Sequence, residues 1–416
     1  MLTFDGGVRF NHGNKTKLLP IQKMDPEYIY LEIPNNYIMT VSAFDEVKIG
    51  QIIASGEDEC LPPVCSGISG TVESVNESTV TIKNDFKNHI YPGLSSVDIP
   101  LTTLETNEII SVLQFMGIYD EDVKLAEKIK KSSGKIENII VSCTCSEPPS
   151  VISYRLLEEY AKEFIGGLKI LIHATKARAG IIAINDDDIS LKLNLAKEIN
   201  DPKLISFRIV ENKYPIENEK CLIYTLTRKE YNRENLIENS RCLVLTAESV
   251  INTYLSFTTG IPAVRKFFSV SDGLKESKNL SVPIGTRISD ILEFCGGTIR
   301  KDPQVIEGGF MTGKPISEDN TICHSTSCVT VVEKEDSVIS SKSEDCIRCG
   351  RCIKVCPMML KPIYLYSNII YERHEKNEHS GISHCINCGC CSYVCPSNLP
   401  LSQTISDSLK SISKHD

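Results

Sequence analysis

The 416-residue sequence predicts a multidomain protein that combines α/β and α+β architecture. Three observations lead to this prediction. Residues 1–100 read as short strands and turns, residues 105–260 alternate apolar strands with helices, and two matching cysteine runs follow within residues 346–396. A chain of this length holds about two to four domains.

The first segment has the pattern of a small all-β unit. Residues 45–54 and 66–75 alternate apolar and polar side chains and contain glycine turns. This alternation is typical of strands with one buried face. We therefore expect a small β barrel or sandwich over residues 1–100.

The second segment reads as an α/β domain. Residues 154–174 place their apolar side chains on one helical stripe. Strands that alternate with such helices form βαβ units and a mostly parallel sheet. The apolar runs that predict buried strands are residues 136–142, 179–184, 204–210 and 241–245.

The remaining segments predict a compact module and a cysteine-rich domain. Residues 262–332 return to short strands, with one helix near residues 288–294, and so predict an α+β module. A polar linker follows at residues 333–343. The cysteine-rich domain is expected over residues 344–400, with an amphipathic helical tail behind it.

Two cysteine runs share one pattern, C-x2-C-x2-C-x3-C-P. They read Cys346-Ile-Arg-Cys349-Gly-Arg-Cys352-Ile-Lys-Val-Cys356-Pro357 and Cys385-Ile-Asn-Cys388-Gly-Cys-Cys391-Ser-Tyr-Val-Cys395-Pro396. Bacterial-type ferredoxins use this run to bind [4Fe–4S] clusters, and the fourth cysteine of each run binds the other cluster. Zinc is the alternative, but a zinc site needs only four ligands and requires neither the third cysteine nor the proline.

The pattern assigns four thiolates to each of two [4Fe–4S] clusters. Cys390 lies outside the pattern and is not a predicted ligand. The predicted ligands of cluster 1 are Cys346, Cys349, Cys352 and Cys395. The predicted ligands of cluster 2 are Cys385, Cys388, Cys391 and Cys356.

Composition argues against a nucleic-acid partner and against membrane insertion, and it predicts a cytoplasmic location. The formal charge of −9 and the pI near 5.5 argue against nucleic acid. No apolar run reaches the roughly 18 to 20 residues that span a bilayer, so we expect no direct membrane insertion. The first residues lack the features of a signal peptide. We expect a cytoplasmic protein that reaches a membrane only through partner proteins.

Cys143 and Cys145 are candidate catalytic redox thiols. They follow the predicted strand at residues 136–142, at the sheet edge where ligands collect in α/β folds. A nearby helix start would activate a thiol there, whereas the alternative is an inert pair. Two weaker candidate pairs for redox or metal chemistry are Cys60 with Cys65 and Cys323 with Cys328.

The order of these four predicted domains along the chain resembles that of the C-subunit family of the Rnf complex. Members of this family are subunits of an NADH-linked ferredoxin oxidoreductase. The resemblance implies a barrel-sandwich hybrid at 1–100, a complex I 51-kDa-like α/β domain at 105–260, a β-grasp (SLBB-like) module at 262–332 and a dicluster ferredoxin domain at 344–400. Besides the first cysteine run, it is carried by Phe4-Asp-Gly-Gly-Val8, Pro63-Val-Cys-Ser-Gly-Ile-Ser-Gly70, Lys213-Tyr-Pro-Ile-Glu-Asn-Glu-Lys220, Pro283-Ile-Gly-Thr286 and Glu307-Gly-Gly-Phe-Met-Thr-Gly313.

Two departures from the family pattern affect its flavin site. The family's glycine-rich phosphate loop is replaced by residues 114–126, which hold one glycine and the acids Asp120, Glu121 and Asp122. These acids would repel a phosphate, whereas glycines let N–H groups approach it. At the position of the family's turn near the flavin phosphate, this chain has the different sequence Thr246-Ala-Glu-Ser249. Both departures count against bound FMN and NADH. Apart from the cluster ligands, the sequence identifies no residues that bind a cofactor.

Three functions follow from these features. The first is an electron-transfer protein that relays electrons from a reduced nicotinamide or flavin donor through two [4Fe–4S] clusters to a partner reductase. The extra cysteines and the lost phosphate loop resemble the electron-transfer protein associated with D-proline reductase. The second is an Rnf C subunit that oxidises NADH on FMN within a membrane complex. The third is a non-enzymatic adaptor that contains clusters.

Overall fold

The structure is a computed structural model that describes residues 1–10, 15–58, 61–97, 100–231, 236–334, 343–373 and 380–412. It contains a mixed α/β multidomain arrangement, as the sequence predicts. Within these ranges, no helix is long and apolar enough to span a membrane. Cys60 and residues 335–342 of the predicted linker lie outside the described residues.

The N-terminal part forms two small antiparallel sheets. One has the strand order β2-β8-β7-β4 and the other β3-β5-β6. Their apolar faces share a core that includes Ile29, Ile53 and Val72, as the alternating pattern predicts. The strands are β1 (Ile21–Lys23), β2 (Tyr28–Glu32), β3 (Tyr37–Met39), β4 (Glu46–Val47), β5 (Ile52–Gly56), β6 (Val64–Cys65), β7 (Gly70–Val75) and β8 (Thr79–Asn84).

The first residues of the chain pair with distant segments. Leu2 forms a parallel bridge to Val210, and Val8 forms an antiparallel bridge to Tyr214. Strand β1 pairs in parallel with the strand Lys278–Pro283. Leu2, Val8 and β1, all within the domain predicted at residues 1–100, therefore pair with other parts of the molecule. The boundaries of the domains stay a prediction.

The α/β part is built on a parallel sheet in the order β13-β12-β11-β14, which confirms the four predicted strands. Its helices are α1 (Thr106–Phe115), α2 (Leu125–Ser132), α3 (Ile152–Glu159), α4 (Ala161–Thr175), α5 (Ile189–Ala196), α6 (Glu219–Thr227), α7 (Leu236–Ser240) and α8 (Ala247–Thr259). Its strands are β9 (Tyr119–Asp120), β10 (Val123–Lys124), β11 (Asn138–Cys143), β12 (Ala179–Asn185), β13 (Ile205–Val210) and β14 (Cys242–Thr246).

The apolar stripe at residues 154–174 is divided between two helices. Helix α3 ends before Tyr160, whose φ of −122° and ψ of 35° leave the helical region. The Tyr160 ring packs edge-on against Phe267, with ring centroids 5.5 Å apart. This tertiary contact accompanies a break that helical periodicity does not reveal.

The third part is one mixed sheet with one helix. The strand order is β1-β16-β15-β19-β17-β18. Phe268, Leu280 and Ile291 are fully buried in its core. Its elements are β15 (Arg265–Ser271), β16 (Lys278–Pro283), α9 (Ile288–Phe294), β17 (Pro303–Glu307), β18 (Lys314–Ile316) and β19 (Cys328–Glu333), and α9 matches the predicted helix.

The cysteine-rich part is helical and compact. Buried Leu365 of α11 and Ile405 of α13 belong to one apolar cluster, so the predicted amphipathic tail packs on the domain. Its helices are α10 (Arg351–Val355), α11 (Pro362–Ile370), α12 (Cys390–Tyr393) and α13 (Leu401–Ile412).

Helices α4 and α8 pack unusually closely, and this contact predicts a mutational effect. A Cβ on Gly167 would lie 1.9 Å from the Val250 carbonyl oxygen. We expect Gly167→Ala to lower the free energy of unfolding by about 1–3 kcal/mol because the helices must move apart. Urea denaturation followed by circular dichroism measures this. Lys162→Ala, on the exposed side of α4, is the control; equal stability of the two variants would contradict the packing.

Candidate functional site

The eight predicted cluster ligands line two separate cavities. Each cavity combines three cysteines of one run with the fourth cysteine of the other run. Cys346, Cys349, Cys352 and Cys395 line one cavity. Cys356, Cys385, Cys388 and Cys391 line the other. The grouping is the one that the ferredoxin pattern predicts.

The two cysteine loops have the same backbone path. Both use left-handed residues two and four positions after the first cysteine, and the second of these is a glycine. The N–H of Arg348 points to Cys346 Sγ, and the N–H of Asn387 points to Cys385 Sγ, each at 3.4 Å. The left-handed residues are Arg348, Gly350, Asn387 and Gly389, with φ of 56°, 74°, 52° and 75°.

Each set of four thiols lines a cavity, as the ferredoxin pattern predicts for a polynuclear cluster. Within the described ranges, no three His, Cys, Asp or Glu side chains converge on a single-ion site. The four thiols of each set instead surround a cavity. A zinc ion needs its ligands about 2.3 Å away, so four thiols would meet at one point.

The two cavities differ in their surroundings. In the cluster 1 cavity, Cys346 and Cys349 are exposed to solvent. In the cluster 2 cavity, Cys388 also lines a larger pocket at the edge of the parallel sheet. The predicted cluster 1 cavity therefore opens to the surface, and the predicted cluster 2 cavity adjoins this pocket.

Three other parts of the chain contact the residues around the cluster 2 cavity. Buried Tyr214 donates its hydroxyl hydrogen bond to the Cys388 carbonyl oxygen at 2.8 Å. A Cβ on Gly389 would lie 2.6 Å from the Met311 carbonyl oxygen. The N–H of Gly7 bonds the Val355 carbonyl at 2.8 Å just before Cys356. The α/β part and the third part therefore contact the loop of Cys388, and the N-terminal segment holds the residue before Cys356.

The pocket beside cluster 2 lies at the carboxyl ends of β11 and β14 and has a volume of about 470 Å³. Ligands of open α/β sheets bind at this edge. Two cationic side chains, Lys128 and Lys266, line it. The acidic side chains that line it are Asp120, Glu121, Glu147, Glu217, Glu219 and Glu248.

Asp120 places a buried carboxylate at the start of α8. Its Oδ1 accepts hydrogen bonds from the Thr246 N–H at 2.8 Å and the Thr246 hydroxyl at 2.7 Å. The same oxygen accepts from the Ser249 hydroxyl at 2.7 Å. Lys128 Nζ lies 2.6 Å from Oδ2. Burial lowers the pKa of Lys128, but Asp120 outweighs burial and the net pKa is raised.

The second lysine of the pocket is also paired. Lys266 Nζ lies 2.5 Å from Glu248 Oε2, and both side chains are largely buried. Across the pocket, Glu217 accepts hydrogen bonds from the Ser146 N–H and hydroxyl. The carboxylates of Asp120, Glu217 and Glu248 are thus satisfied by donors of the chain itself.

Glu147 joins the pocket to the third part of the chain. Its Oε1 accepts the Met311 N–H at 2.6 Å. Burial raises the pKa of Glu147 to about 7, and the nearby Glu217 carboxylate adds to this shift, while the N–H groups of Met311 and Thr312 oppose it. Glu147 therefore changes charge near neutral pH.

Cys143 is the last residue of β11, one residue beyond the predicted strand end, and Cys145 follows the strand. The surroundings of both cysteines disfavour thiolates. Cys143 is fully buried, and burial raises its pKa well above the ordinary value. Burial also raises the pKa of Cys145 to about 12, and the charge of Asp188 adds to this. Thiolates are the reactive form of cysteine. The redox role of these thiols stays a prediction, and these surroundings count against it.

Of the other candidate cysteines that the structure describes, Cys65 and Cys328 are buried and Cys323 is exposed. Burial raises the pKa of both Cys65 and Cys328 to about 12. Cys323 is exposed, and its Sγ lies 3.2 Å from the Ser325 hydroxyl. Sequence reasoning also missed Tyr214 and Glu217 as pocket residues, although both lie in the segment 213–220 that carried the family resemblance.

Two protein families match the chain. The family described as the Nuo51 FMN-binding domain matches residues 113–255. The family described as the 4Fe-4S dicluster domain matches residues 338–396. The first match covers the parallel sheet and the six acidic side chains of the pocket, and the second covers all eight predicted cluster ligands.

Similar curated proteins are C subunits of ion-translocating redox complexes. The C subunit of the proton-translocating ferredoxin:NAD(+) oxidoreductase complex from Clostridium ljungdahlii is 27% identical, over 87% of this chain and 83% of that protein. The Na(+)-translocating counterpart from Acetobacterium woodii is 26% identical, over 77% and 75%. The C subunit of an ion-translocating oxidoreductase complex from Vibrio cholerae is 26% identical; 90% of this chain matches about half (51%) of that protein.

Similar solved structures share the fold. A chain of the air-oxidized NAD+-reducing [NiFe]-hydrogenase superposes with a TM-score of 0.52 at 14% identity, covering 74% of this chain and 61% of that chain. The H2-reduced form gives a TM-score of 0.50 at 12% identity, covering 76% and 62%. This chain thus spans less than two thirds of the hydrogenase chain.

The residues at the pocket do not fit FMN. A flavin phosphate is an anion that needs unpaired N–H donors and cations. Here the donors at the start of α8 bond to Asp120, and Lys128 and Lys266 are both paired with carboxylates. The pKa of partly buried Glu219 is raised by burial, with a further contribution from Asp120, so added negative charge is unfavourable.

The raised pKa of Glu147 predicts a pH dependence of stability. Because its pKa is about 7 in the folded protein and 4.5 ordinarily, the folded state binds the proton more tightly between these values. The contribution of the protonated Glu147 to the free energy of unfolding is fully present below about pH 4.5 and is lost as the pH rises through 7. We expect Glu147→Gln to reduce the loss of stability between pH 5 and 8 by about 1–2 kcal/mol.

Anaerobic urea denaturation of the cluster-loaded protein at several pH values measures this effect. Glu77→Gln, at an exposed turn, is the control and should follow the wild-type pH curve. Parallel curves for the wild type and Glu147→Gln would contradict the prediction.

Proposed function

We propose that this chain, a homologue of the C subunits of Rnf-type ferredoxin:NAD+ oxidoreductase complexes, relays electrons from a reduced nicotinamide or flavin donor through two [4Fe–4S] clusters to a partner reductase. The observation that carries the proposal is the pair of cavities, each lined by four thiols drawn from both cysteine runs. A bound [4Fe–4S] cluster accepts and releases single electrons at a potential set by its surroundings.

The ligand sets give the relay an inner and an outer end. In this proposal Cys346, Cys349, Cys352 and Cys395 hold cluster 1, and Cys356, Cys385, Cys388 and Cys391 hold cluster 2. The exposure of Cys346 and Cys349 supports an outer end at the surface, where a partner protein can dock. Tyr214 and Gly389 hold the inner end against the acidic pocket.

The finer parts of the proposal rest on the family resemblance. The partner reductase is of the D-proline reductase type, in the cytoplasm or at a membrane complex reached through partner subunits. The strands at residues 28–84 form a barrel-sandwich hybrid, and those at 265–333 form a β-grasp (SLBB-like) module. The loss of the phosphate loop, together with the extra cysteines, supports this branch.

A second candidate is a C subunit that oxidises NADH on its own FMN. The match of residues 113–255 to the Nuo51 FMN-binding domain favours it. NADH added anaerobically to the chain alone would then bleach the visible absorption of the clusters. The relay proposal expects no bleaching by NADH until a donor protein is added.

Removal of one outer ligand tests the relay. We expect Cys346→Ala to lose cluster 1, so that bound iron falls from about eight to about four atoms per chain. Electron transfer from the dithionite-reduced chain to D-proline reductase or to an oxidised bacterial ferredoxin should fall at least about tenfold, because the outer end is missing.

Iron analysis and stopped-flow absorption measure both effects. Cys323→Ala, which removes another exposed thiol, is the control and should keep full iron and rate. Full transfer rates in a Cys346→Ala protein with four irons would contradict the proposed outer end.

A further inference from the structure

We infer that Asp120 is a built-in anion, which takes the place of a ligand phosphate at the start of α8. Its carboxylate is 1% exposed and holds four donors: one backbone N–H, two hydroxyls and one ammonium group. Such a donor set at a helix start is the kind that binds phosphate in proteins. In this chain the Asp120 carboxylate occupies these four donors.

Asp120 is more than an ordinary helix cap. Helix α8 already has one, because the Thr246 hydroxyl accepts the Ser249 N–H at 3.3 Å. Asp120 comes from the hairpin of β9 and β10, 126 residues earlier in the chain. It adds a second acceptor in front of the capped helix, where an external anion would otherwise sit.

The charged side chains around Asp120 also disfavour binding of an external anion at the start of α8. Asp120 and Thr246 both line the acidic pocket. Lys128, the cation at this helix start, is engaged by Asp120 Oδ2. Glu121 and Glu219 line the same end of the pocket and add negative charge. A phosphate entering here would have to displace a paired carboxylate and approach two more, which is unfavourable at every step.

The consequence concerns the electron donor and rests on the proposed function. NADH gives up two electrons together as a hydride, and a flavin separates them into single electrons. Because Asp120 occupies the phosphate position of this chain, the two electrons of the hydride are separated on a flavin of another protein. The donor to this chain is then a reduced one-electron carrier, either an iron–sulfur protein or a flavoprotein, which passes electrons one at a time with no bond made or broken.

The experiment compares flavin and phosphate binding in the full, cluster-loaded chain under anaerobic conditions. The wild type should give no saturable quenching of FMN fluorescence and no difference between FMN and riboflavin, which lacks the phosphate. Asp120→Ala exposes the four donors. Inorganic phosphate should therefore raise its melting temperature by about 2–4 °C relative to chloride at equal ionic strength.

A matched control separates the site from net charge. Asp122→Asn removes an exposed acid two residues away, and phosphate should leave its melting temperature, like that of the wild type, unchanged. Asp120→Ser, which keeps a small polar side chain, carries the same test if Asp120→Ala fails to fold.

Two results would overturn the inference. One is wild-type protein that binds FMN more tightly than riboflavin. The other is an Asp120 variant that folds but does not respond to phosphate, because Asp120 would then only fasten the hairpin to α8. Either result leaves the relay itself untouched, since iron content and transfer to a partner are measured separately.

Discussion

The docking of the cysteine-rich domain on the carboxyl edge of the parallel sheet is the contact on which the rest of the molecule depends. Tyr214 bonds the Cys388 carbonyl, and the N-terminal segment reaches Val355. These contacts require close backbone approach: a Cβ on Gly6, at φ of 72°, would lie 2.7 Å from the Val355 carbonyl oxygen. Because of this docking, Cys388 lines both the cluster 2 cavity and the acidic pocket.

Electrostatics then decides what the pocket can accept. A buried carboxylate is stable only when it is paired and hydrogen-bonded. Asp120 and Glu217 meet this condition with donors at a helix start and a strand end. The same donors are what a phosphate would use, so satisfying the acids closes the site. Residues 113–255 therefore match a flavin-binding family in fold, whereas the residues of the pocket do not fit a flavin phosphate.

Local sequence patterns predicted much of this arrangement, because they depend on neighbouring residues. Fixed cysteine spacing predicted the grouping of thiols, and apolar runs predicted β11 to β14. Long-range contacts were not predictable. The acids near Asp120 suggested repulsion of phosphate, but the hydrogen bond from Thr246, 126 residues away, appears only in the fold. Likewise, nothing in the local sequence indicates that Leu2 pairs with Val210 or that β1 pairs with β16.

The most direct test of the two-cluster relay is anomalous X-ray diffraction at the iron edge from crystals of the anaerobically purified chain. The expected result is two four-iron sites. One is surrounded by Cys346, Cys349, Cys352 and Cys395 near the surface, and the other by Cys356, Cys385, Cys388 and Cys391 beside Tyr214. Zinc in place of iron, or ligand sets drawn from one run each, would contradict the relay.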